Sequence, residues 1–112
     1  ENVFAFLDIA KDIYWHTLVI PKKHCKNILD ANDEVLKNGM IAVKKISNHY
    51  INECGFDGVN IINASNECAE QSVFHFHMHI IPRKNGDKLK VFPHFLGTDA
   101  ELEDVQEKLK LN

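Results

Sequence analysis

The 112-residue chain is poor in cysteine, proline and glycine, with three, three and five residues respectively. Cys25, Cys54 and Cys68 form an odd, scattered set without a Cys-x-x-Cys pair, which excludes a readable zinc ribbon or thioredoxin-like site. Free thiols in a reducing cytosol are the ordinary reading of such a set, and a cytoplasmic location is expected. No Pro/Gly/Ser-rich linker, repeat or low-complexity tract divides the chain, so a single domain over residues 1–112 is expected. No run approaches the ~18 apolar residues of a membrane span. The start Glu1-Asn2-Val3 carries neither the basic nor the apolar region of a signal peptide. Charge of neither sign dominates: the formal net charge is −3, so no global basic field attracts nucleic acid. Hydrophobic residues at 45% and charged residues at 26% exclude a disordered tail, a collagen-like repeat and a coiled coil.

What remains is an ordinary globular core with a readable order of elements. Val3 to Ile9 is apolar and aromatic and predicts a strand ending near Asp8. His16 to Ile20 predicts a second strand stopped by Pro21. A short helix is expected over Cys25 to Asp30. Leu36, Met40, Val43, Ile46 or Ser47, and Tyr50 recur every three or four residues, predicting a helix from Asp33 to Cys54. Asn32 or Asp33 suits its start, and Gly55 suits a left-handed residue at its end. Gly58 to Asn63 predicts a third strand, Ala64 to Gln71 a loop, and Ser72 to Ile81 a fourth strand closed by Pro82. Thr98 and Glu101 have the spacing of a capping box for a last helix, with Leu102, Val105 and Leu109 as its buried side. The loop between the last two strands is too short for a parallel crossover. The pattern therefore predicts an α+β fold: an antiparallel meander sheet with one long and one C-terminal helix.

The unusual feature is histidine. Seven are present, and His75, His77 and His79 occupy alternate positions. Along a strand, alternate side chains share a face at spacings of roughly 6.5–7 Å. The histidines would form one face, with Phe74, Phe76, Met78 and Ile80 packing a core on the other. Packing alone poorly explains three aligned imidazoles, because each has two ring nitrogens to satisfy. Two chemistries remain open on the residues. Alternate histidines can contribute to a zinc site, although three on one straight strand do not converge easily on one ion. Alternatively, a neutral imidazole is a nucleophile near pH 7, and flanking rings can donate protons to a phosphoryl group and its leaving group. Gln71 and Ser72 just before the row offer hydrogen-bond donors for phosphate oxygens, and after the second strand Lys22 and Lys23 add cations and His24 another histidine.

Gln71-Ser72-Val73-Phe74-His75-Phe76-His77-Met78-His79-Ile80-Ile81 resembles the signature of the histidine-triad (HIT) superfamily, His-φ-His-φ-His-φ-φ with φ apolar. Ala5 to Ile9, His16 to His24 and Asn60 to Asn63 extend the resemblance over roughly residues 3–84. Val19-Ile20-Pro21-Lys22-Lys23-His24 looks most like the nucleoside phosphoramidate hydrolase branch. The dinucleoside polyphosphate hydrolase branch is the alternative, resembled by the tail Ile81-Pro82-Arg83-Lys84. A nucleotide sensor without turnover is a third reading.

The resemblance implies a HIT-like fold that pairs as a homodimer through the long helix and a sheet edge. It implies a purine nucleotide substrate and a covalent mechanism that needs no metal or other cofactor. His77 matches the nucleophile, His75 the residue whose main chain orients it, His79 a phosphate-contacting and proton-handling position, and His24 a further relay histidine. Gln71 and Ser72 match contacts to phosphate or leaving group. Asp8 matches the acid that takes the ribose hydroxyls, Phe6, Leu7 and Ile9 the wall of the base pocket, and Asn63 a polar contact between phosphate and ribose. One departure bears on the phosphate loop: Glu70 stands where the family usually has glycine. A side chain there disfavours positive φ, and a carboxylate repels phosphate.

Overall fold

The computed structural model describes residues 2–7, 15–93 and 95–111, with Phe6 described through its backbone alone. The elements are β1 (Val3–Leu7), β2 (Thr17–Pro21), α1 (Asp33–Glu53), β3 (Gly58–Ile62), a 3-10 turn (Glu67–Ala69), β4 (Met78–Arg83) and α2 (Leu102–Leu109). The four strands form one antiparallel sheet in the order β1-β2-β4-β3. The chain crosses over α1 to lay β3 at the far edge, and β4 then returns between β3 and β2. The expected α+β class and antiparallel pairing are both present.

α1 is built as the pattern predicts, with one shift. The Asn32 side chain accepts from the Val35 N–H at 2.9 Å and caps the start, and Gly55 follows the last turn at φ +80°. The line facing the sheet runs through Leu36, Gly39, Val43, Ile46 and Tyr50, whereas Met40 is 54% exposed. Gly39 takes the place expected of Met40 because the helix comes close to β4 there. A Cβ on Gly39 would lie 3.3 Å from the Met78 Cε. Val19, Phe76, Met78, Ile80, Val43, Tyr50, Phe56 and Cys25 form the core. Full burial of Val19, Phe76 and Ile80 stabilises the fold by about 1.5–3 kcal/mol each.

Four expectations are corrected. Residues 25–30 form bends and turns rather than a helix, because the Asp30 carboxylate accepts from the Lys26 and Asn27 N–H groups and closes a tight loop. The fourth strand begins at Met78, not Ser72. β2 pairs with β4 only over Thr17–Val19, and the Phe76 N–H turns to the Cys25 carbonyl at 2.7 Å instead of to a ladder partner. Phe74, assigned to the core face, is consequently 46% exposed. Pro21 closes β2 as expected, being its last residue and beyond the β4 pairing, but Pro82 does not close β4: it pairs with Val59 where β3 alone flanks β4, and the strand runs on to Arg83. Finally, the capping box does not form. Thr98 Oγ1 accepts from the Ala100 N–H, α2 starts after an uncapped Glu101, and Leu102, Val105 and Leu109 are all exposed.

Candidate active site

The histidines gather where β2 and β4 diverge. Met78–Arg83 is held on both sides at its start, but residues 72–77 run irregularly past the end of β2 and the loop that follows it. This irregular run gives the first two triad rings partners that a regular strand would not. His75 Nε2 lies 2.9 Å from the Pro21 carbonyl, which can only accept, so the proton sits on Nε2. The other nitrogen of His75 lies 3.2 Å from His24 Nδ1, with the rings edge-on. His77 Nδ1 lies 2.8 Å from the His75 carbonyl and must donate to it. A neutral His77 therefore carries its lone pair on Nε2. Its ring is half-buried and meets His79 edge-on with centroids 4.9 Å apart. Asn63 donates to the His77 carbonyl at 2.8 Å, tying the end of β3 to the same segment.

The remaining predicted residues divide. Ser72 is exposed beside the row. Among the described residues, the N–H groups of residues 72–75 have no hydrogen-bond partner, leaving a set of main-chain donors next to His77. Gln71 is only 3% exposed, and its amide is fully used. It donates to the Lys26 and Val73 carbonyls and accepts from the Asn66 N–H and the Asn27 side chain. Its side chain is thus a strut between two loops and has no donor left for a phosphate. Leu7 ends β1 with 58% exposure. Asp8, Ile9 and the side chain of Phe6 lie outside the described residues.

Glu70 adopts φ +72° and ψ +27°, the left-handed conformation expected of a glycine, with its side chain in solvent. The loop keeps the glycine-like backbone despite the substitution. Two lysines of the segment after β2 sit on aromatic rings: Lys22 lies over the Phe4 ring, and Lys26 over the Phe74 ring at 5.2 Å from its centroid. Burial, reinforced by the Asp30 charge, pushes the Cys25 thiol up, so it remains protonated and does not compete as a nucleophile. The two facing nitrogens of His24 and His75 could both ligate a metal. Among the described residues, however, no group of three histidine, cysteine or acidic side chains converges on one point. Sequence reasoning missed His16, which is buried and reaches His79, and Asn27, which is buried against Gln71. Both are polar residues beside apolar runs, a faint signal available in the sequence.

The sequence profile of the HIT domain matches residues 1–86. The chain belongs to the HIT family. The protein named Hit of Bacillus subtilis (strain 168) is 44% identical over 107 residues, spanning 95% of this chain and 74% of that protein. The crystal structure of a HIT family member from Bacillus subtilis superposes with a TM-score of 0.81 at 42% identity, covering 96% of this chain and 77% of that one. A histidine triad nucleotide-binding protein from Candida albicans has a TM-score of 0.76 at 30% identity, covering 96% of this chain and 80% of that one. The four-stranded antiparallel sheet with its long helix is therefore the HIT fold.

Proposed function

We propose that this HIT protein hydrolyses nucleoside 5′-phosphoramidates through a covalent nucleotidyl-histidine on His77. One observation carries the reading: the His77 Nδ1–H bond to the His75 carbonyl aims a lone pair at Nε2 from a half-buried ring. In the first step Nε2 attacks the α-phosphorus, the bond from phosphorus to the amine breaks, and the amine leaves with a proton. In the second step water attacks the same phosphorus, the bond to Nε2 breaks, and the nucleoside monophosphate departs. Nε2 takes back the bonding pair, so the neutral imidazole re-forms, and the proton lost by water returns to the group that protonated the amine. His79 donates to a phosphoryl oxygen. His24 and His75, bonded to each other, supply an exchangeable proton beside the leaving group. The unpaired N–H groups of residues 72–75 receive the charge that grows on the phosphoryl oxygens. Ser72 contributes its hydroxyl and Gln71 the loop geometry.

Asp8 takes the ribose hydroxyls as a carboxylate acceptor, Asn63 borders the ribose and phosphate, and Phe6, Leu7 and Ile9 wall the purine. A homodimer belongs to the same proposal. The exposed Met40 and Ile41 on α1 and the exposed Ile61 on the edge strand β3 offer an apolar surface for it. A cytoplasmic location is part of the same proposal, supported by the three free cysteines. The dinucleoside polyphosphate alternative gains nothing from Arg83. That side chain is held by both oxygens of Asp87 and by Asn60, and is unavailable to a second phosphate.

Steady-state assays with an adenosine phosphoramidate and with diadenosine polyphosphates test the reading. A higher kcat/KM on the phosphoramidate is expected, insensitive to chelator. Preference for the dinucleotide would assign the other branch, and AMP binding without hydrolysis of either would make the protein a sensor.

A further inference from the structure

We propose that Lys26 is a specificity-determining residue that selects substrates whose leaving amine carries a carboxylate. The proposal rests on the phosphoramidase reading and names the leaving group of that reaction.

The segment after β2 runs beside the segment before β4 and is tied to it at successive residues. His24 faces His75 across 3.2 Å, and the Phe76 N–H donates to the Cys25 carbonyl at 2.7 Å. Gln71 Nε2 then donates to the Lys26 carbonyl at 2.7 Å and to the Val73 carbonyl at 3.1 Å, holding those two residues side by side. Cys25 turns into the core, whereas His24 and Lys26, on either side of it, stay exposed. The Lys26 ammonium lies over the Phe74 ring, 5.2 Å from its centroid. Phe74 belongs to the run 72–75 whose N–H groups face the phosphoryl oxygens. A cation is thus anchored on the segment that receives the phosphate, two residues along the chain from the His24–His75 pair that serves the amine.

That ammonium has an aromatic partner but, among the described residues, no carboxylate. Asp30, the acid nearest in sequence, accepts from the Lys26 and Asn27 N–H groups instead. A lysine held on a ring face keeps N–H donors for an anion. Its surroundings are apolar, since Val73 and Phe74 are both exposed there. A polyphosphate leaving group would meet one cation and two apolar side chains, a poor match for several charges. An amine whose carbon skeleton bears one carboxylate, as in an amino acid, matches both: apolar surface for the skeleton and the ammonium for the acid.

The test compares two adenosine phosphoramidates of matched skeleton, made from phenethylamine and from phenylalanine. Their kcat/KM values are measured on the native protein, Lys26→Met, Lys26→Glu and Lys26→Arg. The change of their ratio between variants cancels the intrinsic difference between the two amines. Lys26→Met should lower the ratio of phenylalanine to phenethylamine compound roughly fivefold, the loss expected of one exposed ion pair. Lys26→Glu should lower it further, and Lys26→Arg should hold it near the native value. Raising the salt concentration should shrink the native preference. An unchanged ratio in Lys26→Met and Lys26→Glu overturns the proposal. An equal loss on both compounds also overturns it, because Lys26 would then attract the nucleotide in general. A larger loss on diadenosine polyphosphates overturns it as well, since the leaving group would be a phosphate. If neither phosphoramidate is hydrolysed, the phosphoramidase reading fails separately, and the dissociation constants of the same two compounds carry the test. The tighter binding of the carboxylate compound should then disappear in Lys26→Met, and its persistence would overturn the proposal.

Discussion

Replacing Glu70 by glycine should make the protein more stable. Glu70 sits in the left-handed region at φ +72°, its N–H donates to the Glu67 carbonyl at 2.8 Å, and its carboxylate has no hydrogen-bond partner among the described residues. Nothing on the side chain therefore offsets the steric cost of that conformation, about 1–2 kcal/mol for an L-residue. Glycine removes the cost but surrenders about 0.5–1 kcal/mol through the greater freedom of its unfolded chain. The net gain is about 0.5–1 kcal/mol. For a chain of this size that raises Tm by about 2–5 °C. Thermal and urea unfolding of Glu70→Gly and Glu70→Ala measure it. Alanine removes the charge but keeps the Cβ, so Glu70→Ala should stay close to the native Tm while Glu70→Gly rises. A Glu70→Gly protein no more stable than the native one, or an equal rise in both variants, would refute the backbone argument.

Gln71→Leu should cost about 3 kcal/mol in urea unfolding, because two carbonyls, one N–H and the Asn27 amide lose their buried partner. If stability instead holds while nucleotide affinity falls, the amide is a ligand contact after all. Asp87 gives a pH signature. Hydrogen bonds from Arg83, then from the Leu89 and Lys84 N–H groups, hold its carboxyl well below the usual carboxylate range. With the folded value depressed, the unfolded chain takes up the proton first as pH falls. The stabilisation is complete above about pH 4, the ordinary aspartate value, and is lost below it. Urea midpoints of the native protein should therefore fall more steeply below pH 4 than those of Asp87→Asn, and parallel curves would contradict the assignment.

The sequence made the order of elements legible because hydrophobic spacing and caps are local. The apolar period of α1, its Asn32 cap and the left-handed Gly55 all reappear. What was illegible depends on partners distant in the chain. The start of β4 is set by how far β2 extends beside it, which no pattern within residues 72–81 encodes. The apolar stripe of α2 looks buried by period, yet among the described residues it has no surface to cover it. At the site, the alternate histidines were plain in the sequence, whereas the idea that the His75 main chain orients His77 came only from the family resemblance. The hidden parts were the tertiary ones. Gln71 reads as a donor facing the ligand but is buried as a strut, and His16 reads as the first residue of a strand but ends against His79. Glu70 reads as a disturbance of its loop, yet the backbone adopts the glycine-like conformation regardless.

The covalent step is tested most directly by rapid acid-free quench of the native protein and of His77→Asn during turnover of a radiolabelled adenylate donor, followed by peptide mapping. An acid-labile label on the peptide carrying His77, absent from His77→Asn while that variant still binds AMP, is the predicted result. Turnover that survives His77→Asn, or a label carried by another residue, would contradict the account.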